Sequence, residues 1–114
     1  MAPRESIPLA DGSVDALWTV NTIHHWTERD RASRELARVM KPGGRVLLVD
    51  EDFDDPSHPW YERFRGRRAR HGDQFADVAP EVVAAALRLA GFSAADGART
   101  TLVGRPVKLV RATR

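Results

Sequence analysis

The chain has 114 residues and a mass of 12.7 kDa, room for one domain that buries roughly two-thirds of its unfolded surface. Hydrophobic residues make up 42% and charged residues 30%, which excludes wholesale disorder, and no apolar run approaches the ~20 residues that cross a membrane. The absence of cysteine excludes disulfides, thiolate metal sites and a cysteine nucleophile, and together with the lack of an apolar leader it suits a cytoplasmic protein.

The net charge of +2 conceals an asymmetry, with −4 over residues 1–57 and +6 over residues 58–114. Three readings stay open: an acidic or nucleic-acid partner, unlike halves meeting across two copies, or two solvated faces.

Pro8-Leu9-Ala10-Asp11-Gly12-Ser13 carries turn chemistry, since Asp-Gly accepts a positive φ and Pro8 blocks a helix. The apolar run Val14–Val20 follows and predicts a strand buried on both faces. Thr27, with Asp30 three residues on, predicts a helix start, and Ala32, Leu36, Val39 and Met40 share one helical face. Arg29, Arg31, Arg34, Glu35 and Arg38 take the other side. Lys41-Pro42-Gly43-Gly44 stops the helix, and Arg45–Asp50 reads as a second buried strand, parallel to the first.

The acidic stretch Asp50–Asp55 then leads to Pro56 and Pro59, which frame a helix through Trp60, Tyr61 and Phe64. Pro80 opens another helix that carries Val82, Val83, Ala86, Leu87 and Ala90 and ends at Gly91. Two strands close the chain, near 93–103 and 106–113, turned by Gly104-Arg105-Pro106. No repeat or linker interrupts residues 1–114, so a single domain is expected.

Three ordered segments carry a resemblance: Glu5–Trp18, then His24-His25-Trp26, then Glu35–Arg45 with Leu-Ala-Arg-Val-Met-Lys-Pro-Gly-Gly inside it. Together they resemble the class I S-adenosylmethionine-dependent methyltransferases, closest to their small-molecule type 11 branch. Leu87–Phe92 resembles the family's entry into its last strand pair. The resemblance implies an α/β fold, a truncated Rossmann-like sheet of strands equivalent to the family's fourth to seventh, made mixed by the last pair.

Family members also carry an acidic-x-Gly-x-Gly-x-Gly loop after their first strand and an acidic residue that holds the cofactor ribose. This sequence has neither, because Gly43-Gly44 precedes a strand instead of following one. The family's Asp-Ala-Glu triplet aligns with Pro3-Arg4-Glu5, which leaves Glu5 as a cofactor residue. The resemblance implies S-adenosylmethionine as cofactor, with weak or absent binding to this chain alone.

It also places Asn21 and Thr22 beside the cofactor, at the exit of the first strand. His24 and His25 could supply a general base near neutral pH or order a loop, and two adjacent histidines make a poor metal site. Trp26, Asp50, Asp52 and Trp60 are the candidate substrate-pocket residues, because ligands of open sheets gather at strand carboxyl ends. The structural alternatives are core packing for Trp18 and Trp26 and plain surface acidity for Asp50, Glu51, Asp52, Asp54 and Asp55. Arg63, Arg65, Arg67, Arg68 and Arg70 raise a nucleic-acid reading, but no binding motif surrounds them.

The function expected is methyl transfer to a small acceptor, with a non-catalytic, self-associating module as the alternative. A homodimer through Val14–Val20 is expected if that strand lacks an outer neighbour, which would expose Leu17, Trp18 and Val20.

Overall fold

The computed structural model describes residues 7–20, 28–63 and 78–114. Strands β1 (Val14–Val20) and β2 (Met40–Glu51) flank helix α1 (Arg29–Val39), and helix α2 (Pro80–Ala90) precedes strands β3 (Ala94–Leu102) and β4 (Arg105–Thr113). The sheet order is β1-β2-β4-β3. β1 and β2 are parallel, whereas β4 runs antiparallel to both β2 and β3. The expected mixed sheet is present.

Both helices seal the same face. Leu36, Ala37 and Val39 of α1 and Val83, Ala84 and Leu87 of α2 cluster with Val46, Leu48, Val110 and Ala112. These strand residues alternate with neighbours that point away, so the opposite face carries Trp18, Val20 and Leu47. Trp18 is 73% exposed and Val20 52%. Neither β1 nor β2 is therefore buried on both faces, and Trp18 is not a core residue. The apolar runs are continuous, but among the described residues only one face has a cover. Leu17, expected to be exposed, instead turns inward against the core.

Helix α1 begins after Glu28, which makes no capping hydrogen bond through its side chain. Its last turn stops at Val39, because Met40 already has extended backbone and pairs with Val14. The next match is Ala16 with Arg45, so Lys41-Pro42-Gly43-Gly44 bulges out opposite Asp15. Gly43 adopts a φ of 82° there.

The turn before β1 closes the carboxyl end of α1. Gly12 and Ser13 N–H donate to the Arg38 and Val39 carbonyls at 2.8 Å each. Arg38, assigned by its spacing to the solvated side, anchors this turn. Its guanidinium donates to the carbonyls of Ile7 and Leu9 and to the carboxylates of Asp11 and Glu35, at 2.7–3.1 Å. Glu35 also accepts the Ile7 N–H at 2.9 Å. The Arg38 hydrogen bonds, helped by the Ile7 N–H, hold the Glu35 carboxyl down to about 2 from its ordinary 4.5.

Helix α2 runs from Pro80 and ends at Gly91 with φ 120°, as expected. The final hairpin turns one residue earlier than the sequence suggests. Val103 and Gly104, with φ 50° and 75°, form a two-residue primed turn between the paired Leu102 and Arg105. No described helix is long and apolar enough to cross a membrane.

Candidate functional site

β1 and β2 end side by side, and β2 delivers Asp50, Glu51 and Asp52 to that end of the sheet. The open-sheet rule marks this as the ligand edge. The acidic stretch is not plain surface acidity. Asp50 is 3% and Asp52 2% exposed, and a buried carboxylate persists only where partners offset its lost hydration. Asp50 sits in register with the equally buried Lys108 of β4. Asp52 Oδ2 accepts from Arg99 Nη1 at 2.9 Å, and its N–H donates to the Pro106 carbonyl at 3.0 Å. Glu51 Oε1 accepts from Arg105 Nε at 2.6 Å and Nη2 at 2.5 Å.

Successive tight turns follow β2. Asp55, His58 and Tyr61 N–H donate to the carbonyls of Asp52, Asp55 and His58. Asp55 Oδ1 caps one turn by accepting from Ser57 N–H and Oγ, and these bonds hold its carboxyl below the usual range. His58 Nδ1 accepts the Trp60 N–H at 3.0 Å, which leaves Nε2 to donate toward Glu51 Oε1 at 3.3 Å. The imidazole is wholly buried, so it orders the loop and does not face a ligand.

Trp60 stands at the rim, 46% exposed. The Phe53 ring lies parallel to it at 6.4 Å, and the His58 ring meets it edge-on at the same distance. The guanidinium carbons of Arg105 and Arg63 lie 5.7 and 5.9 Å from its centroid.

The structure thus brings Asp52 and Trp60 into one cluster, with Asp50 adjacent in β2. Glu5, Asn21, Thr22, His24, His25 and Trp26 lie outside the described residues, as do Thr27, Phe64, Arg65, Arg67, Arg68 and Arg70. His58, Arg99 and Arg105 were missed as site residues. Asp55 and Ser57 carry the turn chemistry that could have flagged the loop around His58. Nothing local marks the two arginines, which arrive from the final hairpin. No described group of three or more His, Asp or Glu side chains could hold a metal ion.

A groove of about 520 Å³ lies away from this edge on the uncovered face. Trp18, Leu47, Arg45, Asp96 and Arg111 line it, with Arg111 and Asp96 paired at 3.3 Å. It is mostly apolar, and its one lining carboxylate, Asp96, is the one held by Arg111. The charged end of β2 is the better candidate for chemistry.

Residues 1–48 match the family described as methyltransferase domain. The methyltransferase GfsG of Streptomyces halstedii is 40% identical over 50 residues, covering 44% of this chain and 18% of that protein. An uncharacterized methyltransferase of Mycobacterium tuberculosis is 41% identical over 77 residues, covering 68% and 31%. The solved structure of a SAM-dependent methyltransferase from Aquifex aeolicus superposes with a TM-score of 0.64 at 24% identity, over 98% of this chain and 52% of that one. These matches support a place for the chain among the class I S-adenosylmethionine-dependent methyltransferases. Its sheet is a Rossmann-like methyltransferase sheet in part. The chain spans 18% to 31% of the curated relatives it matches.

Proposed function

We propose that this chain is the carboxyl-terminal, acceptor-side portion of a methyltransferase domain that alkylates a small molecule with the methyl group of S-adenosylmethionine. One observation carries the reading: a charged and aromatic ligand edge is built at the end of β2, next to an apolar strand, β1, that no described strand pairs on its outer side. Methyl transfer to a small acceptor needs positioning and dehydration, with at most one base. Asp50, Asp52, Trp60 and Trp26 would belong to the acceptor side. His24 and His25 would supply the base, and Glu5, Asn21 and Thr22 the cofactor contacts.

The residues present do not by themselves fit the cofactor. The 114 residues contain no Gly-x-Gly-x-Gly sequence and no match to the family's ribose acid, so close backbone approach to the cofactor has no provider among them. Calorimetric titration of the chain with S-adenosylmethionine is expected to show no low-micromolar binding. A dissociation constant of about 1 μM, on the order of −8 kcal/mol, would overturn this reading.

The same uncovered strand supports a second reading, a self-associating module without activity of its own. Two β1 strands pairing antiparallel about a two-fold axis would satisfy the outer edge, or two uncovered faces packed together would cover Trp18 and Val20. Asp15 pairs with Lys41 at 3.2 Å, so Asp15→Lys would place like charges together beside that axis and weaken the dimer. Sedimentation at micromolar concentration tests it, and a soluble monomer would defeat it.

A further inference from the structure

We infer that Trp60 and Arg63 form a binding platform for a planar aromatic anion, which makes such a compound the acceptor class of the proposed transferase. The inference rests on the methyltransferase reading for the word acceptor, but not for the binding itself.

The backbone around Trp60 is fixed. His58 Nδ1 holds its N–H, and three successive turns tie the loop to Asp52, which is itself bonded to Arg99 and to the Pro106 carbonyl. The indole is nevertheless 46% exposed, at the strand end where open sheets bind ligands. A rigid, half-wet indole presents stacking area at little further entropy cost.

The two described arginines beside it differ. Arg105 is committed to Glu51 through two nitrogens, so its charge is matched. Arg63, at 5.9 Å from the ring, makes no ion pair among the described residues. A cation resting on an indole face is a weak, exposed interaction that a stacked ring bearing a carboxylate can replace. The ring takes the indole, and the carboxylate takes the guanidinium fork. A neutral aromatic would gain only the first contact and an aliphatic acid only the second.

Benzoate, benzamide and cyclohexanecarboxylate, titrated into the full chain, separate these terms. The readout is the Trp60 indole N–H signal in nitrogen–proton NMR spectra, assigned by Trp60→Phe. Benzoate is expected to move that signal saturably and to bind at least about fivefold more tightly than either other compound, the scale of one lost cation–π or stacking contact. Arg63→Gln should weaken benzoate by a similar factor; in calorimetric titrations, which do not need the indole signal, Trp60→Phe, which keeps a ring, should weaken it less than Trp60→Leu. Circular dichroism checks that each variant folds, and Arg63→Gln is decisive if Trp60→Leu does not. Equal binding of cyclohexanecarboxylate, an unmoved Trp60 signal, or full affinity in Arg63→Gln would overturn the platform. No methyl donor is needed, so a failed cofactor titration leaves the test valid. Conversely, methyl transfer to an aliphatic or neutral acceptor would sink this inference and leave the transferase standing.

Discussion

The two faces of one sheet differ sharply although the middle stretches of β1 and β2 are apolar on both. Under α1 and α2, Leu48 and Val110 are completely buried. One residue away along β2, Leu47 is 37% exposed, and Trp18 beside it in β1 is 73% exposed. A strand sequence states how apolar each face is, not whether a second layer reaches it. The near-continuous hydrophobicity of β1 and β2 suits a sheet covered on both sides, the pattern of doubly wound folds. The covered face holds the domain together, and the other has no cover among the described residues.

Truncation on the two faces should break or sharpen this contrast most. Leu48→Ala removes a fully buried side chain and should cost about 2–5 kcal/mol in urea unfolding. Leu47→Ala, one residue along, should cost less than about 1 kcal/mol. An equal loss at Leu47 would show that a further layer covers that face. Gly97 offers a second test, because a Cβ there would press on the backbone carbonyl of Pro80 where β3 meets α2. Gly97→Ala should cost about 1–3 kcal/mol, read as a lower thermal midpoint, since the two backbones must separate.

The pH dependence sharpens the account of what fastens the turn before β1 to the sealed side. The Glu35 carboxyl titrates near 2 when folded and near 4.5 when free. Its pairing therefore stabilises fully above about pH 5 and is lost as pH falls from 4.5 toward 2. Glu35→Gln should flatten that part of the acid unfolding profile and lower stability by about 1 kcal/mol at neutral pH, a partly exposed site being screened. The smallest effect is expected at Ser33, whose hydroxyl is buried without a hydrogen-bond partner among the described residues. Ser33→Ala should be neutral or stabilise by up to about 1 kcal/mol, measured by thermal unfolding.

Local signals were legible where a residue's conformation follows from its own chemistry. Pro80 and Gly91 bounded α2, the Ala32-Leu36-Val39-Met40 spacing named the buried residues of α1 and its exit, and Asp11-Gly12 marked a turn. The ordered motifs from Glu5 to Arg45 carried the family resemblance. Less of the site could be read. Asp52 and Trp60 were named as candidates, but their partners Arg99 and Arg105 stand 47 and 45 positions further along the chain. Only the antiparallel return of β4 and β3 carries those guanidiniums to the end of β2.

Sequence by itself determined the class of fold, the helix and strand order, the parallel first pair and the family resemblance, because periodicity, breakers and motifs are local or ordered along the chain. The tertiary structure decided which apolar side chains are covered, turned Leu17 inward and Trp18 outward, and made Arg38 the anchor of the turn before β1. It also decided that Asp50 and Asp52 are buried. Burial and ion pairing depend on which elements meet in space, and a carboxylate enters a protein interior only where folding has first brought a cation to it.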